Sequence, residues 1–126
     1  MIEIKLATIV NSVEILQKIA NSPIKGKTAY KVAKLLRKIE EEMSLFNDGR
    51  TKIIDYYAIK DEDNKPIVED GNFKIDPNKI TEFNKEVDNL LNTTISINAN
   101  PIPLEEIEEI EFTPNEMALI EPFIQE

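Results

Sequence analysis

AYKVAKLLRKIEEEMSLFNDGRTKIIDYY, residues 29–57, decides the fold. Its apolar members are Ala29, Val32, Leu36, Ile39, Met43, Phe46, Ile53 and Tyr57. They step by three and four, with polar Arg50 where one member belongs, which is the seam of a long amphipathic helix. Asn47-Asp48-Gly49 is the weak point, because Gly costs about 1 kcal/mol in a helix interior relative to Ala. The seam nevertheless keeps its phase across Gly49, so the spacing predicts one helix from about Lys27-Thr28 to about Ala58.

Working outward, residues 3–20 carry a second stripe, Leu6, Ile9, Val13, Leu16 and Ala20, widened by Val10 and Ile19. This predicts a first helix that ends at Asn21-Ser22-Pro23, where the proline ring blocks continuation. The link to the seam helix is short, so the two helices should pack as an antiparallel hairpin. The far end of the seam, from Arg50 onward, outruns the first helix and must find cover in the C-terminal half. Residues 67–75 place Asp70-Gly71 between short β-prone runs, a hairpin with a type I′ turn. Asp76-Pro77 reads as N-cap and first residue of a third helix with Ile80, Phe83, Val87, Leu90 and Leu91 as its stripe and Asn92 as C-cap. Ile95 and Ile97 alternate within a strand over 93–99. Pro101-Ile102-Pro103 is an extended connector, and Leu104-Glu105-Glu106-Ile107-Glu108 a helical turn. Thr113-Pro114-Asn115-Glu116 is a capping box opening a last helix with Met117, Ile120 and Phe123. The expected fold is therefore α+β and helix-dominated: a long antiparallel helical hairpin with a small β element and short C-terminal helices packed on its far end. It forms one domain over 1–126, with residues 1–60 as the hairpin and 61–126 as an acidic α+β half.

The 126 residues contain no Cys, His or Trp. Thiol catalysis, disulfides, imidazole bases and cysteine or histidine metal sites are thereby excluded. No apolar run reaches the roughly 20 residues needed to span a bilayer, and Met1 to Leu6 carries no signal-peptide pattern. No membrane association and a cytoplasmic location follow as expectations. The net charge of −9 is uneven: residues 1–60 hold eleven Lys/Arg against seven Asp/Glu, and residues 61–126 hold four Lys against seventeen Asp/Glu. Acid could fold onto base within the chain, or both faces could meet partners.

Two charged constellations are candidate partner-binding sites. Between Lys25 and Lys38 lie six cations and no acid. Lys27, Lys31, Lys34 and Lys38 step by four, three and four and share one helix face, with Tyr30 beside them. They form either a docking stripe for an anionic partner or an ordinary solvated face. Nucleic acid is disfavoured as that partner, because Tyr30 is the only aromatic among these cations and the whole chain is acidic. Glu105, Glu106, Glu108 and Glu109 begin an acidic C-terminal run that could mimic a polyanion or simply keep the chain in solution. No EF-hand spacing accompanies it, and Asp61-Glu62-Asp63-Asn64 lacks the glycine and terminal Glu of such a loop. Gly26-Lys27-Thr28 lacks the upstream glycine and the preceding strand of a phosphate loop. Arg50 should lie along the seam or pair with an acid. Tyr57 belongs to the core, while Tyr30 and Tyr56 could anchor an interface. Catalytic residues, metal sites and cofactors are expected to be none.

Three segments together carry a resemblance: PIKGKTAYKVAKLL at 23–36, EFNKEVDNLLN at 82–92 and FTPNEMALIEPFI at 112–124. Their order and spacing resemble a family of small proteins, known only as a domain of unknown function, from phages and prophages of Gram-positive bacteria. The resemblance spans nearly the whole chain and brings no catalytic residues with it. It implies a virus-encoded accessory protein whose relatives are encoded near tail and lysis genes. The function expected from all this is non-enzymatic and works by protein–protein contact with a phage or host protein. Tail assembly or a place as a minor virion component is one form of it. An anti-defence inhibitor that blocks a host immunity protein through the acidic surface is the alternative. The location would be the host cytoplasm or the virion, and the long seam could pair with its copy in a homo-oligomer.

Overall fold

The seam helix is the longest element of the computed structural model, which describes residues 1–126. This helix, α2, spans Gly26–Tyr57 without interruption. Gly49 therefore sits inside it, as the unbroken phase predicts. Contacts divide the chain into two units, one of Met1–Met43 with Thr94–Glu126 and one of Ser44–Thr93. The boundaries between the units fall at 43/44 and 93/94.

The first unit opens with a strand, β1 (Ile2–Lys5), followed directly by α1 (Leu6–Ala20). This corrects the helix expected from residue 3. Ile2 and Ile4 are buried while Glu3 and Lys5 are exposed, a two-residue period that suits a strand. β1 pairs antiparallel with β4 (Thr94–Ile97), setting Ile2 opposite Ile97 and Ile4 opposite Ile95. α1 buries Leu6, Ile9, Ser12, Leu16 and Ile19. Ser12 thus stands in the stripe where Val13 was expected, and its hydroxyl donates to the Thr8 carbonyl, which satisfies it without water. α2 packs on α1. Its inward residues here are Thr28, Val32, Leu35 and Ile39, all at 1% exposure or less. Ala29 is exposed, so the true stripe is rotated slightly from the expected one. Each fully buried Val, Leu or Ile contributes about 1.5–3 kcal/mol. The same burial leaves this part of the seam unavailable for pairing with a copy.

The C-terminal segment closes the first unit. β5 (Ile102–Pro103) pairs in parallel with β6 (Ile124–Gln125), a pairing that the reading of 101–103 as a plain connector missed. A 3₁₀ turn covers Leu104–Glu106. α4 (Pro114–Ile120) starts at the expected capping box and is followed by a 3₁₀ turn at Glu121–Phe123. Ile120 and Phe123 are fully buried. α4 packs against α1, not against the far end of α2 as the sequence suggested. The reason is the apolar face of α1, which meets both α2 and α4 and so takes the C-terminal helix into the first unit's core.

In the second unit, the last turns of α2 bury Phe46, Ile54 and Tyr57. Arg50 is exposed and makes no ion pair. The seam position it was assigned belongs instead to Gly49, beside which the side chain of Leu90 lies. β2 (Val68–Glu69) and β3 (Asn72–Phe73) form the expected hairpin. Asp70 and Gly71 both have positive φ, 51° and 80°, as a type I′ turn requires. The hairpin strands continue toward α2 through backbone bonds from Ile59 N to Lys74 O and from Ile67 N to Ile59 O. α3 spans Ile80–Leu91, three residues later than Asp76-Pro77 predicts. Asp76 caps a separate turn, its carboxylate accepting from Asn78 N at 3.0 Å, and Lys79 leaves the helical region before α3 begins. Asn92 is the C-cap, as expected. Tyr57 lies edge-on to Phe83, their ring centres 6.1 Å apart.

Candidate functional site

Four buried side chains aim the basic stripe. Thr28, Val32, Leu35 and Ile39 point into the first unit's core, and each is preceded by one of Lys27, Lys31, Lys34 and Lys38. One residue is about 100° of helical rotation, so fixing the apolar face fixes the cation face beside it. The row from Lys27 to Lys38 extends about 16 Å along the axis at 1.5 Å per residue.

The cations form one wall of an open groove of about 820 Å³. Lys27, Lys31, Lys34, Arg37 and Lys38 line it together with Tyr30. The other wall is Asn98-Ala99-Asn100, the loop between β4 and β5. Ile97 on one side of this loop is 2% exposed and Ile102 on the other is fully buried. Those two anchors hold the loop in place, and an Ala99 N to Ile97 O bond of 2.9 Å tightens it. Tyr30 is 65% exposed, and the Lys34 ammonium stands 5.2 Å from its ring centre. No carboxylate lines the groove. Among its five cations the sole ion pair is Lys38 with Glu41, at 3.9 Å on the helix surface.

The acidic candidates lie elsewhere in the same unit and play different parts. Glu106 is half-buried, and the buried hydroxyl of Thr28 donates to its carboxylate. It therefore closes the first turn of α2 and is not a free surface charge. Glu105, Glu108 and Glu109 are exposed and in no ion pair. Glu105 and Glu108 share a second concavity of about 490 Å³ with Leu104 and Glu126, while Glu105, Glu106 and Glu109 line another that also contains Lys25. Nowhere do three or more carboxylates converge closely enough to hold a metal ion.

Comparison with known families finds a match over residues 2–126, to a protein family of unknown function, DUF1617. The chain belongs to the DUF1617 family. No curated protein and no solved structure is significantly similar to it.

What this DUF1617 groove offers chemically is positive charge, N–H donors and one aromatic face. These bind an anion through charge-assisted hydrogen bonds. The sequence reading had four of the lysines and Tyr30 on one face. It gave no place to Arg37 on that face and had no sign of Asn98 or Asn100, which are some sixty residues away along the chain. The loop is placed by tertiary pairings on both its sides, β1 with β4 and β5 with β6. No helix of this DUF1617 chain is long and apolar enough to cross a membrane.

Proposed function

We propose that this is a non-enzymatic accessory protein of phage or prophage origin that acts by protein–protein contact, with the basic groove as its docking surface. The observation that carries this reading is charge without a partner. Five cations line one groove with a single 3.9 Å ion pair between them, although acids outnumber bases in the chain by nine. Lys and Arg left unpaired in such a chain favour an acidic surface of another molecule, where they steer encounter and fix register. The order of the segments at 23–36, 82–92 and 112–124 supports a viral source, and tail assembly or a minor virion role is the form we favour.

A second reading rests on Glu105 and Glu108, which share a concavity without any cation. On that reading the protein is an anti-defence inhibitor that presents acid to a host immunity protein. Affinity capture from infected cells separates the two, using the wild-type chain and the Lys31→Glu/Lys34→Glu variant. Lys34 is exposed and Lys31 half-exposed, and neither belongs to the buried core, so the variant keeps its fold. Assembly predicts virion proteins that the variant fails to retain. Capture of a host immunity protein that the variant retains supports inhibition, and unchanged capture of virion proteins returns the lysines to a solvated face.

A further inference from the structure

The first unit carries two unsatisfied surfaces of opposite sign. One is the groove of Lys27, Lys31, Lys34, Arg37 and Lys38. The other is the concavity around Glu105, Glu108 and Glu126, which contains no cation. The two share no lining residue. A chain whose basic and acidic segments simply neutralised each other would show ion pairs between them. Within this unit the only pair between the two is Lys18 with Glu116, and neither residue belongs to either surface. Glu106 is bonded to Thr28 and Glu105 shares a further concavity with Lys25, yet none of the five groove cations forms an ion pair with Glu105 or Glu108 of its own chain.

We propose that the groove receives the acidic 105–108 segment of a second copy of this chain, in a head-to-tail contact. The inference rests on the groove being a protein-docking surface and names its occupant. The groove's lining favours this occupant over a generic apolar helix. Ala99 and Tyr30 are its only side chains other than cations and amides, so it lacks the aliphatic pockets that helix-in-groove recognition uses. The acidic concavity supplies what fits: two exposed carboxylates three residues apart, beside Pro103 and Leu104. The contact is heterologous, because each copy uses two different surfaces. It leaves a free groove at one end and a free acidic segment at the other, so association extends beyond a dimer.

Salt decides between the attraction and the overall charge. At about 0.15 M ionic strength the Debye length is about 8 Å, which screens the mutual repulsion of two bodies of net charge −9. Charges within hydrogen-bond distance are still felt at that range, and at about 1 M, with a Debye length of about 3 Å, they too are weakened.

The test is sedimentation of the purified chain over a concentration series at about 0.15 M and about 1 M NaCl, where screening differs most. The expected result is a mass that rises with concentration beyond the dimer at the lower salt and returns to the monomer at the higher. The Lys31→Glu/Lys34→Glu variant and the Glu105→Lys/Glu108→Lys variant should each be monomeric alone. Their equimolar mixture should associate again, because each reversed surface then meets its complement on the other variant. A wild-type chain that stays monomeric overturns the proposal, as does association that persists in either variant or fails to return on mixing. If the wild type is monomeric and the Lys31→Glu/Lys34→Glu variant still loses a captured virion protein, the docking groove stands and only its occupant is wrong. Salt-sensitive binding of an oligonucleotide by a monomeric wild type instead assigns the groove to nucleic acid.

Discussion

Lys18 Nζ lies 3.3 Å from both carboxylate oxygens of Glu116, and donates to the carbonyl of Glu111 at 2.7 Å. It also stands 5.1 Å from the centre of the Phe112 ring. One side chain of α1 thereby ties down the entry to α4, in the region where Thr113 and Glu116 close the capping box. The Thr113 N–H donates to Glu116 Oε1 at 2.9 Å and the Glu116 N–H donates to Thr113 Oγ1 at 3.1 Å.

Thr113→Ala removes the hydroxyl that accepts from Glu116. Loss of an N-cap of this kind costs about 1 kcal/mol. The urea midpoint should fall accordingly with the slope of the transition unchanged, because the surface exposed on unfolding is the same.

The Glu116 carboxyl is held below its ordinary value of 4.5, first by the Thr113 N–H and then by Lys18, with burial opposing them. A carboxylate with a depressed folded pKa contributes stability that is present above 4.5 and lost as pH falls through the folded value. Glu116→Gln keeps the capping acceptor but cannot ionise. Its urea midpoint should lie below the wild type at neutral pH, and the gap should close as the pH drops below 4.5. A gap that stays constant with pH would remove Glu116 from the acid sensitivity of the fold.

Gly49→Ala tests the continuity of α2. A Cβ at position 49 would meet Leu90 Cδ2 at 3.4 Å, an ordinary contact. Ala is favoured over Gly in a helix interior by about 1 kcal/mol. The variant should gain stability of up to about that amount in thermal or urea unfolding. Gly49→Leu should reverse the sign, since its branches enter the space that Leu90 occupies.

The hairpin turn gives the opposite result at its glycine. Gly71 sits at φ +80° in open space, so Gly71→Ala meets no atom but strains the backbone. The cost is about 1 kcal/mol. Val68 and Phe73 are 56% and 43% exposed, so the strands have little burial to compensate. Amide exchange at the turn bonds should accelerate while global unfolding changes little.

Where the chain's local rules were strong, the sequence was readable. The type I′ turn at Asp70-Gly71, the capping box at Thr113 and the unbroken phase across Gly49 depend on residues within a few positions of one another. Asp76-Pro77 shows how such a rule misleads: Asp76 does cap, but it caps a turn that ends before α3. The strand at residues 2–5 was missed because Ile2 and Ile4 fit both a helix edge and a two-residue period. What chose the strand is β4, ninety residues away. A separation of some sixty residues from α2 likewise made Asn98 and Asn100 invisible as groove residues.

Periodicity by itself determined the long helix, the row of Lys27, Lys31, Lys34 and Lys38 on it and the approximate direction of its inward stripe, which packing then turned onto Thr28 and Leu35. Only tertiary structure decided that α4 joins α1, that β5 meets β6 and that the 98–100 loop completes the groove. Those choices depend on which apolar faces remain uncovered once α1 and α2 have met, and no local sequence pattern records that. The same packing gives the basic groove and the Glu105–Glu108 concavity linings with no residue in common.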